Sequence, residues 1–266
     1  MTSSISAHYD QLKSFFIREY LMPSILIDQN IVTYGDILTP EKINDVIGYV
    51  RKPLVGKDGD WLREEISCLP SISKLVNDKA ITAYRYIELD LENWKRSGSA
   101  DTSRLGQLFP NTIMHEVPPA IERSYFFQAS LTEYLHNDQV IEFCKWLNKE
   151  NIEADILNIV TNKPVPKEVI KNVNSLPNFH TMCRVLQKEA QYVDAFHLWS
   201  AEMCNIDYFL TADRKFINAI KNANCSCQAI LPSQLLEVLN IKSREPFKYQ
   251  HNVFYNIGGQ PMWNID

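Results

Sequence analysis

Acidic side chains in two short stretches, far apart in the chain, carry the chemistry this sequence can do. Ser24-Ile25-Leu26-Ile27 is an apolar run that ends in Asp28. The stretch DAFHLWSAEMCNIDYFLTADRKF, residues 194–216, contains Asp194 and Asp213. Short apolar runs such as 24–28 and 207–211 read as buried parallel strands. Parallel α/β sheets bind ligands beyond the carboxyl ends of their strands, which places Asp28 and Asp213 at one sheet edge. Asp194 falls on the helix before the second strand, on one face with Leu198 and Ala201, beside an apolar stripe. A lone buried carboxylate is costly, and a cation shared with other acids removes that cost. Hard ions such as Mg²⁺ or Mn²⁺ prefer oxygen ligands. The pattern therefore points to metal-dependent hydrolysis of phosphodiesters. Each acid also has a structural alternative. Asp28 and Asp213 could cap the helices that follow them, and Asp194 could pair with Lys188 or Arg184. Their joint placement favours the site.

The elements that must position these acids follow from periodicity and punctuation. Leu12, Phe15, Phe16, Tyr20 and Leu21 have helical spacing, and Pro23 stops them, so the spacing predicts an N-terminal helix within 1–23. Pro40 followed by Ile43, Val46, Ile47 and Val50 predicts a helix over 40–51. Lys57-Asp58-Gly59-Asp60 reads as a turn. Ile81-Thr82-Ala83 reads as a brief strand, Tyr84 to Trp94 as a helix and 96–105 as a loop. Residues 118–150 read as helical, within a mostly helical insertion at about 100–175. From there the pattern predicts a helix over 180–205, a strand at 207–211, a helix over 215–222 and a strand at 228–231. Pro232-Ser233 then starts a helix through Leu239. Alternating short strands and helices imply an α/β protein with a central parallel sheet. The tail at 241–266 shows no periodicity.

The chain has 266 residues, 45% of them hydrophobic, enough to bury a full core. No apolar stretch is long enough to span a membrane, and no secretory pattern opens the sequence, so an intracellular, cytoplasmic protein is expected. The six cysteines are scattered, which fits reduced thiols rather than a disulfide framework or a zinc site. The net charge of −5, from 27 basic and 32 acidic residues, excludes a general nucleic-acid coat protein. It is compatible with a nuclease whose basic rim is local.

Residues 194–202 and 207–216 together closely resemble the C-terminal motif of PIN-domain nucleases. Ile25-Leu26-Ile27-Asp28-Gln29-Asn30 resembles the opening strand of that family, with Gln29 in place of its usual small residue. Ile230-Leu231-Pro232-Ser233-Gln234-Leu235-Leu236 resembles the closing strand and helix. The resemblance implies a three-layer PIN-like α/β fold over 24–240, similar to toxin-type ribonucleases but carrying an insertion. It implies an endoribonuclease in which Asp28, Glu88, Asp194 and Asp213 hold one or two Mg²⁺ or Mn²⁺ ions. Glu88 is the family's helix-borne second acid, chosen over Asp90 and Glu92 because Ile87 and Leu91 flank a partly buried face. Asn30 and Thr211 would support the acids from behind. Arg85, Arg214 and Lys215 would meet the RNA backbone, with Arg184, Lys188, Lys163, Lys167 and Lys171 as further cations. His197 reads as a packed histidine ahead of a general base. Tyr84, Tyr86, Trp94 and Trp199 read as core ahead of base-stacking platforms. An inhibitory protein partner and a homodimer belong to the same expectation. A structure-specific DNA nuclease and an interaction module that has lost its metal remain the alternatives.

Overall fold

The first strand, Ser24–Ile27 (β1), has no solvent-facing side: Ile25, Leu26 and Ile27 are all buried. Strand alternation sends Ile25 and Ile27 to one face and Leu26 to the other, so both faces of the sheet need a cover. The computed structural model describes residues 22–35, 38–51, 54, 59–97, 114–125, 137–149, 166–247, 250–256 and 260–265. The helix expected within 1–23, most of the loop at 96–105 and much of the insertion lie outside these residues.

After β1 come Gln29–Gly35 (α1), Leu38–Ile43 (β2), Val46–Arg51 (β3), Gly59–Asn77 (α2), Thr82–Arg85 (β4) and Ile87–Ser97 (α3). Next are His115–Glu116 (β5), a 3-10 turn at Arg123–Tyr125, Asn137–Lys149 (α4), Lys167–Asn174 (α5) and Leu176–Arg184 (α6). Tyr192–Met203 (α7), Tyr208–Leu210 (β6), Arg214–Ile220 (α8), Gln228–Ile230 (β7) and Pro232–Val238 (α9) follow. Val253–Tyr255 (β8) and Pro261–Asn264 (β9) close the described chain.

The molecule is an α/β protein with a five-stranded, all-parallel sheet in the order β5-β4-β1-β6-β7 and a separate antiparallel sheet in the order β2-β3-β8-β9. Two apolar clusters cover the parallel sheet. Ile25, Ile27, Ala83, Leu210 and Ile230 pack with residues of α1, α2 and α9, among them Ile31, Ile72 and Leu235. Leu26, Phe209 and Ala229 pack on the other side with residues of α3, α4, α6, α7 and α8, among them Phe143, Phe179, Trp199 and Phe216. At the amino ends of the central strands, the Ser24 hydroxyl donates to Asp207 Oδ2 at 2.7 Å and the Asp207 amide donates back to Ser24 Oγ at 3.0 Å. All six cysteines are free thiols, and no described helix is long and apolar enough to cross a membrane.

Three expectations are corrected. The helix expected over 40–51 is the β2–β3 hairpin, paired from Ile43↔Val46 to Leu38↔Arg51. Its turn residues, Asn44 and Asp45, both take positive φ, 49° and 62°, which Asn and Asp tolerate and two-residue hairpin turns require. The single helix over 180–205 is broken at 185–191, where a 3-10 turn at Glu189–Gln191 precedes α7. The break lets Phe179 meet Phe196, ring centroids 6.3 Å apart, whereas a straight helix would hold those residues about 25 Å apart. The helix expected over 118–150 begins only at Asn137 within the described residues. Pro118-Pro119 precede a turn whose Ala120 amide and carbonyl are taken by Ser200 Oγ at 3.0 Å and Asn172 Nδ2 at 2.8 Å. The insertion also supplies a strand, β5, to the parallel sheet. Within the described part of the tail, β8 lies against β3 through Tyr49↔Tyr255 and Val50↔Phe254, and Trp263 stacks on Phe254 at 4.6 Å.

Gly48 permits that docking, because a Cβ there would fall 2.4 Å from the Tyr255 carbonyl oxygen and 2.5 Å from the Phe254 ring. Gly48→Ala is therefore expected to cost about 1–3 kcal/mol through overpacking. A lowered Tm with faster proteolysis of the C-terminal strands would show it. A wild-type Tm and digestion pattern would refute the close approach.

Candidate functional site

The five parallel strands stand in space as third, second, first, fourth and fifth in chain order, so the winding direction reverses between β1 and β6. Such a switch point opens a crevice at the carboxyl ends of the two strands. Asp28 directly follows β1 and Asp213 lies just past β6, so both flank this crevice. The Asp28 amide donates to the Leu210 carbonyl at 3.0 Å and joins the two strand ends.

Thr211, fully buried, is the hub behind the acids. Its hydroxyl accepts from Asn30 Nδ2 at 2.8 Å and from the Asp213 amide at 3.1 Å. A hydroxyl has two lone pairs and one proton. Both lone pairs are engaged, so the proton goes to Asp28 Oδ2, at 2.6 Å. Asn30 Oδ1 in turn accepts from the Ala212 amide at 3.0 Å. Asp213 caps α8, its Oδ1 accepting from the amides of Lys215 at 2.8 Å and Phe216 at 2.9 Å. That cap uses Oδ1 alone. The structural role expected for Asp213 and its place at the crevice therefore coexist.

Asp194, half-buried in the first turn of α7, interacts electrostatically with Asp28, Asp213, Glu92 and His197. Among the described residues it makes no ion pair with Lys188 or Arg184. Burial, and then the charge of Asp28, push its carboxyl up to about 8. Burial likewise pushes Asp28 up to about 6, against the opposing pull of His197 and the Thr211 bond. Burial pulls His197 down, but Glu92, Asp28 and Asp194 outweigh it and leave the imidazole above its ordinary value. The neighbourhood is thus a set of acids with one imidazole among them.

The fourth acid of the neighbourhood is Glu92, not Glu88. Glu92 Oε1 lies 3.2 Å from His197 Nε2, and its charge is felt by both Asp28 and Asp194. Glu88 is held in a buried bidentate pair with Arg123, at 3.1 Å to Nε and 2.9 Å to Nη2. Breaking such a pair strands a buried charge, so Glu88 serves to fix α3. Asp90 pairs with Arg85 at 2.9 Å. Glu88 and Glu92 are one helical turn apart, and local sequence does not separate them. The decisive partners, Arg123 and His197, come from distant segments.

Arg85, expected at the nucleic-acid surface, is buried between Asp90 and Gln29, donating to Gln29 Oε1 at 3.0 Å. It is removed from the basic rim. Arg214 and Lys215 are exposed. The Arg214 guanidinium lies 4.8 Å above the centre of the Trp61 ring, a pairing that neither residue's local sequence signals. Lys167, Lys171, Arg184 and Lys188 are exposed, and Lys163 lies outside the described residues. Tyr86 and Trp199 are core residues, fully buried.

No family model, curated protein or solved structure matches this chain significantly. Among the described residues, no group of three or more His, Cys, Asp or Glu side chains forms a ready-made metal site.

The raised carboxyls give stability a definite pH dependence. Between their ordinary value of 3.8 and the values of about 6 and 8, the folded protein holds protons that the unfolded chain releases. Stability therefore falls as pH rises through that window. Asp28→Asn should stabilise the metal-free protein by about 1–3 kcal/mol near pH 8.5, and the gain should vanish by about pH 4. Thermal unfolding in chelator at the two pH values measures this. A difference independent of pH would contradict the assigned burial of charge.

Proposed function

We propose that this chain is a PIN-like, metal-dependent nuclease that hydrolyses RNA. The reading is carried by Asp28 and Asp213 at the carboxyl ends of two adjacent strands beside the switch point of a parallel sheet, with Asp194 in electrostatic range of both and of Glu92. Their donor set is all oxygen, so a hard cation fits the chemistry. Those acids would hold Mg²⁺ or Mn²⁺, which when bound supplies Lewis acidity toward the phosphate and acidifies water.

The chain's own residues set the conditions for that chemistry. Thr211 and Asn30 fix the Asp28 carboxylate against the end of β6. The α8 cap fixes Asp213. Arg214 and Lys215, next to Asp213 and exposed, would meet the strand's phosphates and offset the repulsion of the acids. His197 is not the general base of this reading, because both of its ring nitrogens are engaged, with Tyr86 and Glu92. A second reading is an interaction module whose acids bind no metal. The raised carboxyls of Asp28 and Asp194 favour it, since a protonated carboxyl is neutral and needs no cation to be buried.

Labelled single-stranded RNA and DNA, incubated with Mg²⁺, Mn²⁺ or chelator, separate these readings and also decide between RNA and DNA. Cleavage should need the divalent ion and disappear in Asp213→Asn and Glu92→Gln. In Arg214→Ala/Lys215→Ala the KM should rise more than kcat falls, since such side chains grip ground and transition states alike. The log–log salt slope of binding should flatten by about one for each phosphate that loses its cationic partner. Cleavage that survives both chelator and Asp213→Asn would reject the nuclease reading.

A further inference from the structure

Behind Glu92 lie two buried polar side chains, His197 and Tyr86, to which the function proposed above gives no role. His197 Nε2 faces Glu92 Oε1 at 3.2 Å, and His197 Nδ1 is hydrogen-bonded to the Tyr86 hydroxyl. The two rings meet edge to face, 5.6 Å apart. Tyr86 is fully buried and His197 is 1% exposed. Ser200, one turn along α7 from His197, accepts from the Ala120 amide at 3.0 Å. The imidazole is therefore fixed from behind by core groups and presents one N–H forward.

We infer that His197 and Tyr86 are positioning residues that present Glu92 to the proposed cation site, an inference that rests on the metal reading given above. Three features support it. Glu92 is on α3, whose first turn is anchored by Glu88 to Arg123, but Glu92 itself lies one turn beyond that anchor. Its side chain is 27% exposed, so packing alone does not fix its rotamer. His197 Nε2 carries a proton toward Glu92 whether the ring is neutral, with the Tyr86 hydroxyl donating to Nδ1, or charged. The positioning thus survives a change in charge state. Groups that hydrogen-bond a metal-ligating carboxylate from behind set its orientation and typically change metal affinity 10–100-fold.

Mn²⁺ titration calorimetry on the full chain, paired with the Tm of each metal-free variant, tests the inference. His197→Gln and His197→Ala remove the same charge, but only Gln keeps an N–H donor toward Glu92. His197→Gln should bind Mn²⁺ about tenfold more tightly than His197→Ala. Tyr86→Phe keeps the imidazole and should bind more weakly than wild type. A purely structural role would lower Tm without separating Gln from Ala in affinity. Equal affinities for the Gln and Ala variants, with Tyr86→Phe matching wild type, would overturn the inference. If His197→Ala does not fold, Tyr86→Phe and His197→Gln against wild type decide it. Wild-type affinity in Glu92→Gln would remove Glu92 from the site and the inference with it. A wild-type protein that binds no Mn²⁺ would overturn the metal reading itself.

Discussion

Carboxylates crowded at the end of a buried strand repel one another and resist desolvation, and the rest of this architecture accommodates that cost. Asp28 is only 5% exposed and follows a strand with no exposed residue after Ser24. Burial raises it, and Asp194 is raised further by burial and the charge of Asp28. A fold gains nothing in stability from such a cluster above neutral pH. Strand order brings two of the acids to one sheet edge: β1 and β6 are neighbours, Asp28 directly follows β1 and Asp213 lies just past β6, while α7 and α3 carry Asp194 and Glu92.

The surrounding hydrogen bonds divide the task. Thr211 and Asn30 tie the two strand ends into one unit and give Asp28 a single orientation. The cap of α8 fixes Asp213 from the other side. α3 is anchored by the Glu88–Arg123 pair, which frees Glu92 to face His197. The antiparallel sheet is built separately, from a hairpin inserted between α1 and α2 and from the C-terminal strands, and its closure depends on Gly48.

Much of this was legible from residues alone where local pattern and tertiary demand agree. The apolar runs before Asp28 and Asp213 are strands because both faces of the sheet are covered, and an apolar run has no other satisfactory place. Pro232-Ser233 marked the start of α9 for local reasons. The misreadings have a shared cause. Ile43, Val46, Ile47 and Val50 fit a helical period, and only the left-handed pair Asn44-Asp45 and the distant β8 make that segment a hairpin. Arg85 looked like a surface cation, but β4 lies inside the sheet, between β5 and β1, and buries it. Glu88, Asp90 and Glu92 are equivalent acids locally. Arg123, Arg85 and His197 assign them separate roles, and none of those partners is visible from the helix's own sequence.

The proposed function requires that these acids together hold a divalent cation. The most direct measurement is a crystal structure of the protein soaked in Mn²⁺, with anomalous scattering used to locate the ion. The account predicts a peak enclosed by Asp28, Asp194, Asp213 and Glu92, with Glu88 still paired to Arg123. No peak at a saturating Mn²⁺ concentration, or a peak elsewhere with these acids unmoved, would contradict it.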